Sequence, residues 1–127
     1  MNEPCTNSAR ERRSVEILLE CADLQKKKSR DYQNPASTVK QADYYDNGLI
    51  TIYDIMHAKM LRIKSVMQTA HADLEHEPNF ESLQDSFKDL INYASFGAAY
   101  IEGKVPGQIS GRDMFNREIA FKIYEQK

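Results

Sequence analysis

From Ile50 to Met67 the chain reads ITIYDIMHAKMLRIKSVM, and at about 100° per residue Ile52, Ile55, Met56, Ile63, Val66 and Met67 collect on one side of a helix. Lys59 projects from the middle of that apolar stripe, with Arg62 at its edge. An ammonium turned toward a core is costly unless it is paired or hydrogen-bonded, so this helix calls for a carboxylate or an anionic ligand opposite Lys59. Upstream, Ser8 and Glu11 form a capping-box pattern, and Ile17, Leu18, Cys21 and Leu24 predict a helix running to about Arg30. Lys28 continues that stripe. It either faces a site or has reached the helix end, where a cation suits the dipole and a long stem snorkels to water. Glu16, Glu20, Asp23 and Lys27 share another face, the pattern of a solvated, ion-paired surface.

Arg30-Asp31-Tyr32-Gln33-Asn34-Pro35 reads as a polar loop, because Pro35 disfavours helix at Asn34 and Asp and Asn favour turns. Ser37 to Asp46 forms a short helix in this reading, Asn47-Gly48 a turn, and Thr51 with Asp54 the cap of the central helix. Residues 68–79 are polar and end near Pro78, a helix tail and an exposed connection. His71, Glu75 and His76 read as surface residues, since no further ligand stands in fixed relation to them. The next helix spans Phe80 to about Glu102 with Asn79 as its cap. Leu83, Phe87, Leu90, Ile91, Ala94, Ala98 and Ile101 read as its core stripe. Its other side carries Asp85, Asp89, Asn92, Tyr93, Phe96 and Tyr100, acids interleaved with aromatics, which predicts a second, partly buried surface. Gly103 and Val105-Pro106-Gly107 end that helix, and GRDMFNREIAFKIYEQK predicts a last helix with apolar residues on several sides, a packing arm or a subunit contact.

The pattern predicts an all-α fold: a compact helical bundle of three main helices plus a C-terminal helix, in one domain over 1–127. Residues 1–8 form a loose lead-in and 104–127 a C-terminal arm. The length of 127 residues fits one core. A formal charge of −2 is not the footprint of a protein that holds nucleic acid by bulk electrostatics. Cys5 and Cys21 form no disulfide framework, and no run approaches the roughly 18 apolar residues of a membrane span. The expectation is a cytoplasmic protein without membrane contact.

Two inward basic residues, Lys59 and Arg62, and two inward acids, Asp85 and Asp89, are the parts of a buried ion-pair network. They are equally the parts of a phosphate site, in which Lys and Arg hold phosphate oxygens while Asp85 and Asp89 hold Mg²⁺. Lys28, Asp31, Tyr32 and Asn34 favour a site, since they gather more polar functionality than one salt bridge requires. No Gly-rich phosphate loop, nucleophile elbow, paired-Cys zinc spacing or His-Glu-x-x-His is present.

Three short motifs occur in order: Lys28-Ser29-Arg30-Asp31-Tyr32, Ile50-Thr51 leading to Lys59-Met60-Leu61-Arg62-Ile63, and Asp89-Leu90-Ile91-Asn92-Tyr93. In this the chain resembles, over roughly residues 15–102, the phage and bacterial nucleotide-modification-associated domain of the first type. It is more loosely similar to the MazG-like all-α nucleoside triphosphate pyrophosphohydrolases, which hold Mg²⁺ on helical carboxylates. It carries Lys59 and Arg62 where those enzymes present Glu-x-x-Glu, and Gln33 where the first family's turn often has Gly. The resemblance implies a link to phage nucleotide metabolism or nucleotide modification in the host cytoplasm.

The expected protein is a homo-oligomeric binder of a nucleotide or nucleotide-like phosphate. Lys28, Lys59 and Arg62 hold phosphate, while Asp85 and Asp89 bind Mg²⁺ or orient water as catalytic groups of a phosphoanhydride hydrolase. Asp31, Tyr32, Asn34, Asn92 and Tyr93 complete the substrate contacts. The alternatives are a non-catalytic phage protein that sequesters a nucleotide or modulates a host factor, and a helical interaction protein whose ion pairs only fix its packing.

Overall fold

The computed structural model describes residues 12–32, 35–73, 75 and 80–119. Three long helices make an all-α fold: α1 (Arg13–Tyr32), α2 (Leu49–Ala72) and α3 (Phe80–Ile101), with a 3₁₀ turn at Gln41–Tyr44 between the first two. Ser8, Asn34, His76 and Asn79 lie outside the described residues. No described helix is long and apolar enough to cross a membrane.

Helices α2 and α3 form the main pair, and α1 packs on α3 alongside it. The core gathers at one end of the pair, where Ala42, Tyr45, Ile52, Tyr100 and Val105 are buried against one another. Ile52 is 1% exposed and is backed by half-buried Ile55 and Met56, so the stripe expected on the central helix is the one it turns inward. Met67, at the far end of that stripe, is exposed.

The start of α2 differs from the expected Thr51 cap. Gly48 occupies the N-cap at φ +59°, and the Leu49 N–H donates to the carbonyl of Met114 at 2.8 Å. One orphan N–H of the helix start is thereby satisfied by a returning segment. Thr51 instead accepts the Asn47 N–H on its Oγ1 at 2.9 Å, tightening the Asn47-Gly48 turn. Residues 104–119 fold back to reach this point: the Pro106 carbonyl accepts the Ala42 N–H at 2.9 Å, and Gln108 Nε2 donates to the Tyr100 carbonyl at 3.2 Å. From 111 to 119 the segment is a turn closed by an isolated antiparallel bridge, Arg112 to Glu118, not the start of the expected last helix, whose residues 120–127 lie outside the described residues. Asp113 drives the difference. Its carboxylate accepts the backbone N–H groups of Phe115 and Arg117, both at 2.9 Å, so it favours a local turn over helix here.

The second, partly buried surface expected on α3 is present, while part of the expected core stripe is not covered. Ser86, Asn92 and Tyr100 are buried, whereas Phe87 and Ile101 of the supposed core stripe are 50% and 65% exposed. Gly97 marks the side that α2 approaches: a Cβ there would lie in ordinary van der Waals contact, 3.7 Å from both Ile52 Cγ2 and Leu49 Cδ2. The acid and aromatic row therefore faces the partner helices. Of the aliphatic row, Phe87, Ala94, Ala98 and Ile101 are exposed and Leu83, Leu90 and Ile91 half-buried.

Candidate functional site

Lys59 meets a carboxylate. Its Nζ lies 3.2 Å from Asp89 Oδ2 on α3, with the two side chains 30% and 36% exposed, and 5.8 Å from the centroid of the Tyr93 ring. The ammonium that the sequence places on the inward stripe of α2 thus reaches a charge partner and an aromatic face one helical turn apart.

Asp89 and Tyr93 also line a cleft of about 130 Å³, together with Asn92 and Phe96 of α3, Gln25, Lys28 and Ser29 of α1, and Gln41 and Tyr45 beside the 3₁₀ turn. Lys59 is not part of this lining. It stands behind the wall and holds Asp89. Tyr93 and Phe96 meet edge to face, with centroids 5.5 Å apart, and give the cleft an aromatic side.

The polar side is built by two amides. Gln25 Nε2 donates to Asn92 Oδ1 and to Ser95 Oγ, each at 2.8 Å, which uses both of its N–H groups. Asn92 is 7% exposed, yet its Nδ2 has no hydrogen-bond partner among the described residues; neither has Gln25 Oε1. An unpartnered donor at that depth is costly, and here both residues line the cleft. Lys28 lies on the exposed margin of the same cleft and makes no ion pair among the described residues.

Of the residues expected in a site, the fold brings Lys28, Asp89, Asn92 and Tyr93 together, with Lys59 behind them. Arg62 is elsewhere on α2: it is exposed, and its Nη2 donates to Ser82 Oγ at 3.0 Å. Asp85 is exposed and outside the cleft lining, so it forms no carboxylate pair there with Asp89. Asp31 and Tyr32 close the last turn of α1, and Asn34 lies outside the described residues. Among the described residues no three His, Cys, Asp or Glu side chains gather as a metal site. Gln25, Ser29 and Gln41 were not expected. Gln25 and Ser29 follow the buried Cys21 at four-residue steps, so the line of a core residue along α1 leads to them.

The charges outside the cleft serve to fasten α1. Glu20 Oε2 lies 2.7 Å from Arg13 Nη1, and its other oxygen accepts from Lys88 Nζ of α3 at 3.0 Å. Hydrogen bonding from Arg13, and then from Lys88, holds the Glu20 carboxyl down at about 2. Burial pushes the Cys21 thiol above its ordinary value beside the same contact. No family model, curated protein or solved structure matches the chain.

Proposed function

We propose that the cleft between α1 and α3 binds a nucleotide, base inward and phosphate toward Lys28, without turning it over. The observation that carries this reading is the buried Asn92 amide of the cleft lining, whose Nδ2 has no hydrogen-bond partner among the described residues, while neighbouring Gln25 Oε1 has none among them either. An adjacent amide donor and acceptor suit the edge of a nucleobase, as Asn and Gln do when they bond an adenine edge in two places. Tyr93 and Phe96 supply a surface for stacking. Small-molecule pockets start near about 300 Å³, so a cleft of about 130 Å³ takes one moiety, and the rest of the ligand extends past exposed Lys28.

Phosphoanhydride hydrolysis with Mg²⁺ is the second reading, and Asp89 is what favours it. Mg²⁺ takes one or two carboxylates plus phosphate oxygens, so Asp89 alone suffices to hold the ion beside a bound nucleotide. Hydrolysis needs in addition a group that orients water. Asp85 is not placed for that task, which leaves sequestration the stronger reading. Either way the setting is the one the resemblance implies, phage nucleotide metabolism or modification.

A thermal-shift panel of nucleoside mono-, di- and triphosphates and cyclic nucleotides, with and without Mg²⁺, tests the proposal. A ligand at 100 times its dissociation constant adds about 2.7 kcal/mol and raises the melting temperature visibly. The expected result is a hit with no product, lost in Asn92→Leu. Product that appears only with Mg²⁺ supports the hydrolase instead. No shift with any nucleotide overturns both.

A further inference from the structure

The outward face of α3 carries its own repeat. Phe80, Gln84, Phe87, Ile91, Ala94, Ala98 and Ile101 follow one another at alternating steps of four and three residues, the spacing of a coiled-coil seam, and six of the seven are apolar. Among the described residues the contacts of α3 leave this line exposed except at Ile91, which is half-buried. Helix α2 meets α3 through Asp89, Tyr93 and Gly97, and α1 meets it through Lys88, Asn92 and Ser95. At about 100° per residue the seam points away from both. Phe80 is 72% exposed, Phe87 50% and Ile101 65%, and Ala94 and Ala98 are exposed as well.

We propose that this seam is the interface of a homodimer in which α3 pairs with α3 of a second copy, antiparallel about a two-fold axis near Ile91. The distribution of side-chain size selects the partner. The bulky residues Phe80 and Phe87 occupy the first half of the seam and Ala94 and Ala98 the second. About an axis near Ile91 an antiparallel copy lays Phe87 over Ala94, Gln84 over Ala98 and Phe80 over Ile101 of the other chain, whereas a parallel copy stacks ring on ring and leaves alanine facing alanine. A surface that complements itself in this way fits a two-fold interface.

The area is of the right order. At roughly 200 Å² per ring side chain the two phenylalanines leave about 240 Å² of apolar surface in water, and Leu83, Ile91, both alanines and Ile101 add to it. A stable dimer buries about 800 Å² per partner, about two-thirds of it apolar in homodimers. The seam supplies the apolar centre of such an interface. This inference is independent of what the cleft binds.

Sedimentation equilibrium of the full chain tests it. The expected species is a dimer that becomes a monomer in Phe87→Glu with unchanged helical circular dichroism. Should Phe87→Glu fail to fold, Gln84→Leu decides, because it replaces the one polar seam residue and is expected to tighten the dimer at least tenfold. A spin label at position 102 in a Cys5→Ser background reports orientation: an antiparallel pair of 22-residue helices sets the labels about 33 Å apart, a parallel pair under about 20 Å. A monomer at every concentration, a dimer indifferent to Phe87→Glu and Gln84→Leu, or a short label distance overturns the proposal.

Discussion

Lys59 of α2 reaches Asp89 of α3 at 3.2 Å and the Tyr93 ring at 5.8 Å, so one ammonium holds two residues of the cleft wall. Since both partners of the ion pair are about one-third exposed, water screens the attraction and it stops short of a buried salt bridge. The contact positions the wall more than it stabilises the fold.

A double-mutant cycle of Lys59→Met and Asp89→Asn is therefore expected to give a coupling of about 0.5–1 kcal/mol in urea unfolding, shrinking as salt is raised. A coupling above about 3 kcal/mol would mark the pair as fully desolvated, against the exposure seen here.

Glu20 makes stability depend on pH in the acid range. Its carboxyl is held at about 2 in the folded state against an ordinary 4.5, so between those values the unfolded chain binds more protons. The contribution is present above about 4.5 and is lost as pH falls toward 2. Glu20→Gln is expected to flatten the melting temperature profile between pH 5 and 2, and to leave its slope unchanged above pH 6. Equal slopes for both proteins below pH 5 would show that the Arg13 and Lys88 contacts do not persist in solution.

Gly48 stands at φ +59°, and an added Cβ would press on the Met114 carbonyl that caps α2. Gly48→Ala is expected to cost about 1–3 kcal/mol in chemical denaturation, combining positive-φ strain with loss of the cap. Gly103→Ala, also at positive φ but with open space around it, is expected to cost less. Equal losses would assign the whole effect to backbone conformation.

Cys21 is 2% exposed and its thiol is pushed up by burial, so it is expected to resist a thiol reagent until the protein unfolds. In a Cys5→Ser variant the labelling rate at pH 8 should match that of global opening. Rapid labelling of the native variant would show that α1 leaves α3 readily.

The hydrophobic pattern revealed the three helices and the inward side of α2, because Ile52, Ile55, Met56 and Lys59 form one line at helical spacing and that line is the covered one. It misassigned part of the core stripe of α3. That helix carries apolar residues on two sides, and periodicity alone does not say which side neighbours cover; Gly97, where α2 approaches, was the local sign. The carboxylate expected opposite Lys59 is present as Asp89, whereas Asp85 and Arg62, aligned on the same faces one or two turns away, lie outside the cleft. Gln25 escaped notice because an amide on a polar helix carries no pattern signal until its neighbour, Asn92, is known.

Isothermal titration of the wild-type chain and its Asn92→Leu and Asn92→Asp variants, with the nucleotide that gives the largest thermal shift, tests the cleft most directly. The expected result is saturable binding by the wild type, at least tenfold weaker in both variants, with all three proteins equally helical. Nucleotide binding that is unchanged in both variants would place the ligand elsewhere on the molecule, and no binding by the wild type would contradict the account altogether.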